Sequence, residues 1–85
     1  MAKKKGAVCY ICGRPATDIH HVFNGAWRSR SEEDGMVIPV CRRCHMYIHD
    51  TPTMAWQLKA EFQNKWESQF GDRRAFIERY GKSYI

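Results

Sequence analysis

The chain has no apolar run approaching the 18 or so residues that a membrane-spanning helix needs. Its opening, "MAKKKGAVCYICG", has lysines but no apolar stretch of the kind a secretory signal requires. These two absences exclude a membrane partner and point to a cytoplasmic setting. Acid is also scarce: Lys and Arg number 14 against 9 Asp and Glu, giving a net charge of +5 and a pI near 9.2. Such a balance favours a polyanionic partner such as nucleic acid. No internal repeat or second domain is visible, and 85 residues leave room for only a small hydrophobic core. Yet 44% of the residues are apolar, which argues for folding rather than disorder. A core of this size commonly needs a staple.

The cysteines supply one. There are four, arranged as Cys9-x2-Cys12 and Cys41-x2-Cys44 with 28 residues between the pairs. In a cytoplasmic chain such pairs suggest metal binding more than disulfides. Each pair can present two thiolates to one tetrahedral zinc, and a closed four-thiolate shell is structural because it leaves no position for substrate. "CRRCH" also matches the attachment pattern of c-type haem. That chemistry belongs to exported proteins, and it would leave Cys9 and Cys12 without a task.

All four histidines fall beside this framework, as the doublet His20-His21 and as His45-x3-His49. Histidines four apart share a helix face and can chelate one ion. "HMYIH" has Met46 where a zinc-protease helix would carry its glutamate, so that reading fails. Adjacent strand residues point to opposite faces. If His20 turns toward the helix it completes a three-histidine site, and His21 is left free beside the ion. A free histidine there is a candidate general base, since imidazoles titrate near neutrality. Read singly, such histidines are more often core or supporting residues; their grouping beside four cysteines favours the metal site.

The remaining pattern gives a coarse architecture. Residues 1–7 read as a basic flexible arm, 8–50 as a zinc-binding core and 51–85 as helices packing on it. "CYICG" reads as a knuckle and "ATDIHHVF" (16–23) as a strand, while "NGAWRSRSEEDG" (24–35) reads as a polar loop. "MVIPV" (36–40) is an edge strand or strand end because of Pro39. A short helix is expected from about Arg42 to His49. A longer one follows from Pro52 to about Phe70, with Thr51 as N-cap. Met54, Leu58, Phe62, Trp66 and Phe70 recur every four residues as one apolar stripe, most simply core. Gly71 fits a helix C-cap and Asp72 a new N-cap, with Gly81 closing a last helix.

Taken together, "CYIC", "DIHHVF" and "VIPVCRRCHMYIH" resemble, in order and spacing, the HNH nucleases of the ββα-metal (His-Me finger) group. The resemblance covers residues 9–49, about half the chain. Its histidines look most like those of colicin-type DNases, and "FIERYGKSYI" looks like the ending of small phage-encoded HNH proteins. It implies an α+β fold: a small zinc-stabilised ββα-metal, treble-clef-like domain with a C-terminal helical extension. It further implies a metal-dependent DNA endonuclease or nickase that leaves 5′-phosphate and 3′-hydroxyl ends. Carried over by position, His21 would be the general base. His20, His45 and His49 would hold one catalytic divalent cation (Mg2+, Mn2+, Ni2+ or Zn2+), and Cys9, Cys12, Cys41 and Cys44 the structural Zn2+. DNA would be held mostly by its phosphates, with Arg28, Arg30, Arg42, Arg43 and the Lys3–Lys5 arm as candidates. Trp27 either stacks on a base or packs. The setting implied is the cytoplasm of a bacterial host, with a phage or host protein as a further partner, and a monomer or homodimer.

One position departs from the pattern. The group's middle asparagine usually lies about five residues before the third cysteine, and Met36 stands there. That asparagine normally holds the loop that orients the base. The alternative reading is therefore a catalytically inactive HNH-like zinc module that binds DNA or a partner protein.

Overall fold

A computed structural model describes residues 7–85, so the Lys3–Lys5 arm lies outside the described residues. The fold begins with a knuckle. Cys9 donates its N–H to the Arg14 carbonyl, the Gly13 N–H returns to the Cys9 carbonyl, and Val8 bridges Pro15. Gly13 takes the left-handed conformation (φ +80°) that lets the chain turn so tightly.

Strand β1 (Asp18–His21) pairs antiparallel with β2 (Val37–Val40) in the register Asp18–Val40, Ile19–Pro39, His20–Ile38 and His21–Val37. Pro39 has no N–H to give, but in a two-stranded sheet one side of each strand is free anyway. Its carbonyl is used: the knuckle docks there through the Tyr10 N–H at 2.8 Å. Cross-strand partners share a face, so Asp18 and His20 lie on the side of the buried Val40 and Ile38, and His21 on the other.

The segment 24–35 is not a plain loop. It contains a 3-10 turn (Gly25–Trp27) and helix α1 (Arg28–Glu33). The pattern did not announce α1 because its single buried residue is Ser31, so no apolar periodicity exists to read. Polar staples hold it instead. Ser31 Oγ accepts from the Phe23 N–H at 3.1 Å and donates to the Met36 carbonyl at 2.6 Å. Just beyond α1, Asp34 accepts from Trp66 Nε1 (2.7 Å), Arg79 Nε (2.7 Å) and the Tyr80 hydroxyl (2.7 Å). Burial opposes ionisation of Asp34, but these donors, Arg79 first, hold its pKa below the ordinary value.

Helices α2 (Arg42–Asp50), α3 (Pro52–Gln69) and α4 (Arg73–Tyr80) follow. Pro52 occupies the first turn of α3 as expected, while Thr51 precedes it without a side-chain cap bond. Leu58, Phe62 and Trp66 are buried, but Phe70 is 52% exposed. A spacing of four overshoots the 3.6-residue turn by about 40° per step, so the stripe rotates off the core by its end. Gly71 is not in a left-handed cap; it makes room, since a Cβ there would lie 3.1 Å from that of Ala75. Asp72 caps Ala75 N–H at 2.9 Å, and Gly81 is left-handed at φ +88°.

Among the described residues, twelve buried apolar ones form the core, from Cys9 and Val22 through Ile38 and Ile48 to Phe76 and Tyr80. Phe23 lies against Tyr80 (ring centroids 4.4 Å apart) and Phe76 (5.3 Å), so α4 clamps the segment that follows the histidine doublet. The described residues form a small α+β structure with one two-stranded sheet and four α-helices. Among the described residues no helix is long and apolar enough to cross a membrane.

Candidate functional site

The four cysteines, distant in sequence, meet because the knuckle docks on β2 and β2 runs straight into α2. One sulfur from each lies within 4.8 Å of the others, and Cys12 Sγ is 3.7 Å from Cys41 Sγ. All four are free thiols. The two pairs repeat one local arrangement: the Cys12 N–H points at Cys9 Sγ (3.5 Å) and the Cys44 N–H at Cys41 Sγ (3.4 Å). The second of these makes Cys41 the N-cap of α2.

Their electrostatics fit a cation. Burial opposes ionisation of Cys9, yet backbone N–H groups led by that of Cys12 bring its thiol down to about 6. Burial and the neighbouring sulfurs of Cys41, Cys12 and Cys9 push Cys44 up to about 12. Four sulfurs this close cannot all carry charge unaided, whereas a divalent ion among them favours the thiolate at every position. The cluster is thus positioned and chemically suited to hold a structural metal ion such as zinc.

The histidines divide. His20 on β1 and His45 and His49 on successive turns of α2 bring one ring nitrogen each to within 4.8 Å of the others. Ring centroids are 5.5 Å apart for His20–His45, 6.2 Å for His20–His49 and 5.1 Å for His45–His49. Exposure rises across the trio: His20 is buried, His45 half-buried and His49 exposed, so the group opens on one side to solvent. Burial, then the charges of His45, His49, His21 and Lys59, lower the His20 pKa to about 4, which keeps that imidazole neutral with a lone pair to offer.

Asp18 supports the trio, although its place beside the doublet drew no role from the sequence. Its Oδ2 accepts from His45 Nδ1 at 2.9 Å, leaving Nε2 as the lone-pair nitrogen of His45. Arg42 Nε donates to the same carboxylate at 2.9 Å. Arg42 first and His45 second bring the Asp18 pKa down to about 2. A signal for it exists, since Asp18 lies two residues before His20 and strand residues two apart share a face. Replacing Asp18 with alanine should weaken divalent-cation binding at the trio by about 10–100-fold while zinc at the cysteines is retained. Titration calorimetry on zinc-loaded protein checks it.

His21 stands apart from the trio but borders the same cavity of about 250 Å³, whose wall also includes Asn24 and Arg28. Its Nε2 faces Glu32 Oε1 at 3.1 Å, so with Nε2–H donating, Nδ1 is the free nitrogen. The other expected phosphate-binding arginines are spread out. Arg30 Nη1 donates to the Arg79 carbonyl at 2.8 Å, Arg42 is tied to Asp18, and Arg43 borders a second hollow with Cys12 and Tyr47. Trp27 is packed: a Cβ on Gly81 would lie 2.8 Å from its ring.

Fold and donors together define a small α+β chain built round four thiols positioned to hold a metal ion. It belongs to the family described as "Protein of unknown function (DUF968)", which it matches over residues 3–83. No curated protein and no solved structure matches the chain.

Proposed function

We propose that the chain is a metal-dependent DNA endonuclease or nickase of the HNH type, on a treble-clef-like ββα-metal scaffold. The observation that carries this reading is the convergence of His20, His45 and His49 on one point at the wall of a cavity that His21 also borders. His20, His45 and His49 would hold the divalent cation. Bound there, it would supply electrostatic stabilisation of the negative charge that develops on the phosphate during hydrolysis. His21, held at Nε2 by Glu32, takes the proton of the attacking water on Nδ1. Arg28, at the same wall, pairs with a phosphate oxygen of the strand. The remaining arginines and the net charge of +5 favour sequence-independent phosphate contact.

The competing reading, an HNH-like zinc module that binds DNA or a partner protein without cutting, rests on Met36. Ser31 weakens it. The Ser31 hydroxyl ties the backbone at Phe23, two residues past His21, to the carbonyl of Met36 itself. A side chain from α1 thus secures the loop that an asparagine would otherwise secure.

Zinc-loaded protein should nick supercoiled plasmid when Mg2+, Mn2+, Ni2+ or additional Zn2+ is supplied. A mild chelator should stop the reaction, and returning the metal should restore it. Failure with all four metals, by protein that binds DNA in a gel shift, would establish the non-cutting reading instead.

A further inference from the structure

Trp56 and Lys59 lie one turn apart on α3, and the tail beyond α4 brings Lys82 and Tyr84 against them. The Trp56 and Tyr84 rings meet edge to face, with centroids 4.9 Å apart and planes at 74°. Lys82 Nζ lies 5.1 Å from the Trp56 ring and 5.5 Å from the Tyr84 ring, and Lys59 Nζ lies 5.4 Å from Tyr84. The tail is fixed in this position: buried Gln63 accepts from the Tyr84 N–H at 2.7 Å and donates to Ser83 Oγ at 3.0 Å.

The two cations have no acid to answer them. Among the described residues every ion pair is made by other groups, and neither lysine takes part. Burial, with the charge of Lys82 second, lowers the Lys59 pKa. Two like charges held over one aromatic pair repel each other unless an anion lies between them. At the same place Trp56 remains 47% exposed. An unanswered pair of ammonium groups beside an exposed indole matches the two repeating parts of a nucleic-acid strand, its phosphate and the face of its base. A duplex hides its base faces, so the complementary form is an unpaired strand.

The patch is joined to the segment that follows the histidine doublet: Tyr84 packs on Phe23 (ring centroids 6.0 Å apart), two residues past His21. We propose that Trp56, Lys59, Lys82 and Tyr84 form a shelf that binds an unpaired DNA strand, stacking one base and gripping the adjoining phosphates, with Tyr84 linking it through Phe23 to the segment that carries the histidine doublet. The shelf takes its role as a substrate guide from the nuclease reading above, but its binding of the strand is measured separately from cleavage.

The test is fluorescence anisotropy with labelled single-stranded DNA and RNA oligonucleotides and a DNA duplex of equal length, without added divalent cation, on the zinc-loaded 85-residue chain. The double variant Lys59→Gln/Lys82→Gln should bind the single strand about tenfold more weakly near 0.1 M salt. Its slope of log affinity against log salt should flatten by about 1.4, the value for two lost phosphate contacts on a single strand. Trp56→Ala should lose about tenfold on the single strand and little on the duplex, with Trp56→Phe recovering most of the loss. Unchanged melting temperatures would separate these losses from misfolding, and the lysine variant serves if Trp56→Ala does not fold. Wild-type affinity in both variants overturns the shelf, whether or not the protein cuts DNA. Equal losses on single strand and duplex overturn the stacking role, and preference for an RNA oligonucleotide overturns DNA as the occupant. Losses as expected in a protein that never nicks plasmid uphold the shelf and remove the nuclease reading.

Discussion

Replacing His21 with alanine should lower plasmid nicking by about 10²–10⁴-fold, the range that a positioned general base contributes, and leave both metal sites occupied. The separation of roles rests on geometry. His21 is not among the three histidines whose nitrogens converge, and its side-chain partner among the described residues is Glu32, which is itself 72% exposed. Removing the imidazole therefore strips the proposed proton acceptor from the cavity wall without touching the three histidines proposed as ligands. The hydrogen bond to so exposed a carboxylate contributes little stability, but the His21 side chain is itself only 12% exposed, so the melting temperature of the variant is read beside its activity. The contrasting variant is His49→Ala, which removes an exposed member of the trio and should lose cation and activity together. Metal content by mass spectrometry, read beside a nicking time course, distinguishes the two. Full activity in His21→Ala would sink the assignment of the base, and loss of the divalent cation in that variant would recast His21 as a ligand.

The grouping of the cysteines and of the histidines is legible in the sequence because its signal is local. Cys-x-x-Cys and His-x3-His are short-range spacings, and the turn or helix each requires follows from the same few residues. The alternation of a strand likewise separates His20 from His21 by sequence position alone. What the sequence hides is held together over long range by polar groups. Helix α1 has no apolar face, and its attachment runs through Ser31 and through Asp34, whose partners Trp66, Arg79 and Tyr80 are at least 32 residues away. No periodicity encodes such a hub. Arg42 shows the complementary difficulty. As a charge in a basic sequence it reads as a phosphate contact, while the fold engages it with Asp18, 24 residues earlier and the acceptor for His45. The shelf residues are hidden for a related reason: Lys82 and Tyr84 meet Trp56 only after α4 reverses the chain.

Changing Cys41 to serine should unfold the protein at room temperature rather than merely weaken it. Cys41 is where three things join: the end of β2, the N-cap of α2 and a sulfur 3.7 Å from that of Cys12 in the knuckle. Serine is itself a good N-cap, so this substitution spares the cap and isolates the loss of a thiolate. The core left to hold the fold has twelve buried apolar residues, and several of them (Cys9, Val40 and Ile48) belong to the elements that the metal would join. Structural zinc binds with an apparent free energy of about 10–16 kcal/mol, whereas whole domains are stable by only about 5–15 kcal/mol. A chain this short has no surplus to offset such a loss. The expected outcome is one zinc fewer per chain and loss of the cooperative thermal transition in circular dichroism. Stringent chelation of the wild type should give the same spectrum, reversed on adding zinc. A Cys41→Ser protein that melts where the wild type does would mean that the aromatic core of Phe23, Trp66, Phe76 and Tyr80 suffices, and that the thiols serve something other than the fold.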